Sequence, residues 1–281
     1  MTLQIGDALR SGLDTLLSED GLLITGVFLL FNLGNTVASS TFTGALFNEM
    51  MDIGGPASGG AAGAGAPGFS ISDFSGPFSL DVAMPVAVVM VLLFLLIGQL
   101  VKFWGIRLFT EPQKIMDENT SDRAVMAVVL GGGVAALTFA VSMSSSALNA
   151  SGRLLLGGLA GLFSGLLSLI VGLAFVYLLQ SIALYNGGYV ETLKHCVARF
   201  MDAPAQIIVL LFILFLLGII PGIPSTASVI SVVLPGSFDL PSQSILQVAT
   251  MVLNAAVQAF SLAVITDAYL QVRADQNDNG L

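Results

Sequence analysis

The stretch GGYVETLKHCVARFMDAPAQ, Gly187 to Gln206, decides how the rest of the chain is read. It holds the protein's one histidine, His195, beside its one cysteine, Cys196, and it lies between two long apolar runs. Val190, Leu193, Val197 and Phe200 recur every three or four residues, while Glu191, Lys194, His195 and Arg199 fall on the other side. That is the period of an amphipathic helix. The Gly187, Gly188 pair suits the C-terminal cap of the preceding run, and Glu191 is spaced to pair with Lys194 and His195. Such a helix between two apolar runs reads as an elbow lying on a membrane surface, where the chain turns round. Neighbouring residues on a helix point about 100° apart, so His195 and Cys196 make a poor nucleophile pair. They are expected as a solvated histidine beside a lipid-facing cysteine.

The composition agrees with a membrane setting. Of 281 residues, 55% are hydrophobic and 10% charged, with a mean hydropathy of +0.92. A soluble domain carries about 25% charged residues, so the solvent for most of this surface is lipid. A hydrocarbon core of about 30 Å takes roughly 20 apolar residues to cross. Six stretches qualify: residues 21–47, 82–109, 124–148, 154–185, 203–222 and 242–269. The fifth ends at Pro221 to Pro224, PGIP, which stops or kinks a helix. No ten-residue alternation appears, so the spans are helices and not barrel strands. The expected fold is an all-α integral membrane protein, one polytopic domain over residues 1–281 with six transmembrane helices and amphipathic inner-face elbow helices.

With the N-terminus inside, eight of the nine basic residues fall on inside segments: Arg10, Lys102, Arg107, Lys114, Arg123, Lys194, Arg199 and Arg273. Arg153 alone falls outside, so the positive-inside rule places both termini in the cytoplasm of a multi-pass cell-membrane protein. The N-terminal residues lack the basic start and cleavage site of a signal peptide, and the first span acts as an uncleaved signal. Ile5, Leu9, Leu13 and Leu16 oppose Asp7, Arg10 and Asp14 in a first elbow, and EPQKIMDENTSDR before the third span is a weaker one. Elbow plus hairpin thus recurs as a threefold pattern. The outside loop 48–81 contains GGPASGGAAGAGAPG, a flexible uncharged linker, followed by Phe69, Phe74 and Phe78 for the outer interface.

The layout of GGYVETLKHCVARFMDAPAQIIVLLFIL, an amphipathic segment entering a span after a glycine pair, resembles the uncharacterised six-helix membrane proteins of haloarchaea. Those are similar to the membrane domain attached to some bacterial glycerophosphodiester phosphodiesterases. The resemblance implies a six-span bundle and carries no activity, since the phosphodiesterase catalytic domain has no counterpart here. Acidic residues outnumber basic ones 18 to 9 and only Lys102, Lys114 and Lys194 are lysines. That balance fits a halophilic archaeon and argues against a nucleic-acid partner.

Two patterns are candidates for function. Gly157, Gly161 and Gly165, continued by Gly172, set small residues four apart on the fourth span, where helix backbones can approach closely. Gln247, Thr250, Asn254, Gln258 and Ser261 form a polar seam on the sixth, joined by Asn32 and Asn35 on the first span and by Gln99 and Gln180. The seam serves as interhelical hydrogen bonding, as a path or pocket for a small solute, or as a face against a partner subunit. Lys102, Arg107 and Asp267 lie near span ends and are expected to snorkel, leaving no charge at a midplane. Asn149-Ala150-Ser151 is a glycosylation triplet on the predicted outside. No Walker loop, HExxH, GxSxG or dinucleotide fingerprint is found, and a single cysteine makes no disulfide and no cysteine-based metal site. The expectation is a non-enzymatic scaffold or accessory subunit with no cofactor. Its partners are membrane lipids and either another membrane protein or further copies of itself. The alternative is a transport or channel component for a small or uncharged solute.

Overall fold

The computed structural model describes residues 3–54, 78–110, 120–150, 161–163, 165–166, 170–185, 187–223 and 243–279. Every regular element among them is helical. In order they are α1 (Ile5–Leu16), α2 (Glu19–Gly54), α3 (Met84–Thr110), α4 (Thr120–Met126), a π-helical turn (Ala127–Gly131) and α5 (Gly132–Ala150). After these come α6 (Leu178–Leu184), α7 (Tyr189–Asp202), α8 (Pro204–Ile219), closed by a 3-10 turn (Ile220–Gly222), and α9 (Gln243–Asn279).

Five segments are long and apolar enough to cross a membrane: Glu19–Leu46, Met84–Thr110, Thr120–Val141, Pro204–Gly222 and Ile245–Ala274. They correspond to the expected stretches 21–47, 82–109, 124–148, 203–222 and 242–269. Their side chains turn outward: in the most apolar 18-residue window of the Met84–Thr110 segment only 11% of the residues are buried. Leu30, Phe212 and Phe215 are among the large apolar groups exposed. Such a surface is stable against lipid and not against water. The stretch 154–185 differs. Its described apolar helix runs only from Ile170 to Leu184, and residues 151–160 lie outside the described set. Most of the glycine-rich loop, Phe69 and Phe74, most of the weak second elbow, Ser151 of the glycosylation triplet and residues 224–242 lie outside it too.

The turn from α1 into α2 shows why its residues are what they are. Ser18 is the N-cap: its Oγ accepts the Gly21 N–H at 3.1 Å and donates to Thr15 O at 2.6 Å. Glu19 and Asp20 place negative charge in the first turn of α2, where the helix dipole favours it. α1 then folds back on α9. Gly12 meets Val264 there, and Ser11 Oγ donates to Asp267 Oδ1 at 3.1 Å. The backbone N–H groups of Leu3 and Gln4 donate to Gln206 Oε1 (3.2 Å) and Gln271 Oε1 (3.1 Å), so the unpaired donors at this end are satisfied by neighbouring helices.

The larger core cluster buries Phe28, Phe103, Ile106, Tyr177, Ile182, Ile207, Val264 and Tyr269 together, and a smaller one holds Phe42, Ala45 and Ala87. α2 packs along α3 and α9. Glycines let them approach: an added Cβ at Gly98 would lie 2.9 Å from Phe31, and one at Gly105 would lie 2.6 Å from Leu262. Small-residue packing is therefore in use, on α1, α2 and α3, away from the glycine row expected to carry it.

Candidate functional site

α7 is the helix that the first-quoted stretch predicts, over Tyr189–Asp202, but its phase and contacts need correcting. Thr192 and Cys196 are the buried positions, while Val190 is 63% exposed. Cys196 does not face lipid. Its S–H donates to Ala174 O at 3.5 Å, a carbonyl left free where the helix breaks at residues 175–177 and Leu178 N–H donates to Phe175 O instead. A carbonyl freed by a helix break and withdrawn from water needs such a substitute partner. Burial pushes the Cys196 thiol up to about 12, so it is a neutral donor and no nucleophile.

His195 is half-buried, not solvated. Its ring stacks on Tyr185 with centroids 4.1 Å apart and planes 11° apart. Nε2 accepts from Arg199 Nε at 3.3 Å, and Nδ1 lies 3.4 Å from Ser181 Oγ. Burial first, then the positive charges of Arg199 and Arg273, hold its pKa below the usual histidine value, with Asp202 opposing. The ring is thus neutral at pH 7. Glu191 does not pair with it; Glu191 Oε2 accepts the Gly188 N–H at 3.2 Å. Gly188 is accordingly the N-cap of α7, and the preceding helix ends at Leu184, so the glycine pair opens α7 and does not close the run before it.

Arg123 and Arg107 are held by hydrogen bonds within the bundle. Arg123 donates through Nη1 to Ile182 O (3.0 Å), Ala183 O (3.4 Å) and Tyr185 O (2.9 Å), capping the carbonyl end of α6. Arg107 is 7% exposed and donates to Thr120 Oγ1. Neither it nor Asp267, held by Ser11 and Gln271, snorkels to water as expected.

A cavity of about 550 Å³ lies among α3, α5, the 170–185 segment, α8 and α9. Both helical irregularities border it: the π turn through Gly131 and the break through Phe175 and Val176. Gly131 sits in a close approach, where a Cβ would lie 3.0 Å from Gln99 Oε1 and 3.3 Å from Leu179 Cδ2 and would push those side-chain ends aside by a few tenths of an ångström. π turns recur at functional sites because they displace side chains without ending the helix.

The polar seam divides. Asn254, Gln258 and Ser261 line the cavity, with Gln99, Lys102, Thr138 and Gln180 opposite. Gln258 Nε2 also donates to Asn32 Oδ1 at 3.2 Å and to Asn254 Oδ1 at 3.4 Å, an interhelical bond of the structural kind. Thr250 bonds back to Leu246 O at 2.9 Å, and Gln247 Oε1 has no partner among the described residues. Neither lines the cavity.

The glycine row divides as well. Gly157 lies outside the described residues. Added Cβ atoms at Gly161 and Gly165 would meet nothing within 4 Å, and Gly172 borders the cavity. Leu162, Phe163 and Leu166, on the same turns, are more than 60% exposed.

Lys102 is a further residue that sequence reasoning misplaced. It lines the cavity and does not simply reach the surface. Its spacing from Gln99, three residues on one helix face, was the available signal. No family model matches the chain, and no curated protein and no solved structure matches it.

Proposed function

We propose that the chain is an integral membrane scaffold or accessory subunit, without catalytic function, that docks on another membrane protein or a further copy through the glycine row. The single observation that carries this is the free space at Gly161 and Gly165. Gly12, Gly34, Gly98, Gly105 and Gly132 are each pressed against a side chain of another helix, as small residues in a bundle should be. Gly161 and Gly165, four apart and so on one helix face, have no such neighbour among the described residues. In this reading residues 154–185 form a sixth span, α1 and α7 lie as elbows on the cytoplasmic face, and both termini are cytoplasmic. The haloarchaeal resemblance supports the same layout.

The test is the paired substitution Gly161→Leu, Gly165→Leu in the full chain. Helix packing through close backbone approach is lost, and co-purifying partner falls by about tenfold or more. Folding is expected to be unchanged, because a Cβ added at either position meets nothing within 4 Å among the described residues. Wild-type assembly in this variant ends the proposal.

The cavity favours a second reading, a transport or channel component for a small solute. Three of the five seam residues line it. Under this reading, solute flux in reconstituted vesicles drops when Gln258 is replaced by Leu. Unchanged flux removes it.

A further inference from the structure

Among the described residues, the cavity wall carries one charged side chain and none of opposite sign. Lys102 lines it from α3, and among the described residues no carboxylate, hydroxyl or carbonyl pairs with the ammonium. In the same wall Gln180, 3% exposed, presents an Oε1 with no hydrogen-bond partner. Both groups are unfavourable as they stand, since a polar atom withdrawn from water needs a partner and a charge needs a counter-charge. Most of the remaining lining is apolar, from Phe175, Leu179, Val257 and Leu262 among others. The volume, about 550 Å³, falls in the range of roughly 300–1,000 Å³ that ligand sites occupy.

We infer that this cavity binds an anionic amphiphile whose head is a singly charged phosphodiester bearing free hydroxyls. The phosphodiester oxygen meets the Lys102 ammonium, a head hydroxyl donates to Gln180 Oε1, and an acyl chain lies along the apolar wall. A lone ammonium balances one negative charge, which selects a diester over a dianionic monoester. An ionised carboxylate would meet Lys102 but offers no donor to Gln180, so a fatty acid satisfies only half of the site. A zwitterionic head would bring a second cation to a wall that already holds one. Phosphatidylglycerol has the required chemistry. The same head can also come from water, as glycerophosphoglycerol without chains.

This inference uses the cavity of the second reading and does not require transport. The test is native mass spectrometry of the full chain after detergent exchange from mixed micelles of phosphatidylglycerol and phosphatidylcholine. Wild type retains roughly one phosphatidylglycerol per chain and little phosphatidylcholine. Lys102→Met lowers retention by about tenfold, and Lys102→Arg keeps it. Gly218→Leu tests the cavity without touching the charge. Gly218 lines the cavity, an added side chain there meets nothing within 4 Å, and retention falls again. Glycerophosphoglycerol that fails to displace the lipid makes the bilayer the source, and displacement makes water the source of the same head. Wild-type retention in Lys102→Met, or equal retention of phosphatidylcholine, overturns the inference. Flux is scored separately, so a chain that holds the lipid and moves no solute removes the second reading and leaves this one.

Discussion

Replacing Gly21 by Ala is expected to detach α1 from the bundle. The added Cβ would fall on Thr15 O and lie 2.5 Å from Leu16 O and 2.7 Å from Leu16 C. All three are backbone atoms, so no rotamer change relieves the contact. Either the Ser18 cap opens or α1 swings away from α9. Both routes lose the Ser11 to Asp267 bond and the packing of Gly12 on Val264. Overpacking of this kind costs about 3 kcal/mol, at the upper end of its usual range, because the obstacle is main chain. Limited proteolysis reads the outcome as early cleavage between α1 and α2. Gly26→Ala is the control: it lies on the same helix with open space around it, and removing a mid-helix glycine stabilises slightly. Equal behaviour of the two variants would contradict the tight turn.

Arg123→Ala is expected to unfasten α6 from α4. One guanidinium nitrogen serves the carbonyls of Ile182, Ala183 and Tyr185, which close a helix of only seven residues. Those carbonyls have no other side-chain cap among the described residues, and a cation at a helix C-terminus also offsets the dipole. Losing a charged hydrogen bond of this sort costs about 2 kcal/mol, moderated here because Arg123 is only partly buried. The effect reaches the cavity, since Leu178, Leu179 and Gln180 on α6 line it. Thermal unfolding in detergent measures the loss. Arg123→Lys keeps the charge without the planar fork and recovers part of it. A melting temperature unchanged in Arg123→Ala would show that the carbonyls find other donors.

The spans were legible in the sequence because a membrane demands long apolar windows, and Met84 to Thr110 or Pro204 to Gly222 satisfy that with little ambiguity. α7 was legible as a helix and misread in phase. Its buried positions, Thr192 and Cys196, are small, whereas the apolar Val190 is exposed. A hydrophobicity period cannot separate a face turned to protein from one turned to lipid. The break at 175–177 gave no signal either: no proline marks it, and its free carbonyl is satisfied from Cys196 on a later helix. The cavity needed three-dimensional placement. Gln99 and Lys102 are read from one helix, Gln180 from another and Gln258 from a third, and only packing brings them to one wall.

The central claim is that the Gly161, Gly165 face is covered by protein in the native membrane. The most direct measurement is photo-crosslinking from position 162, beside that face, with wild-type chain in its own membrane, followed by mass spectrometry of the adducts. Leu30, 72% exposed on α2, serves as the comparison position. The account predicts a discrete protein adduct from position 162, with one partner or a second copy of the chain, and lipid adducts alone from position 30. Lipid adducts alone from both positions would contradict it.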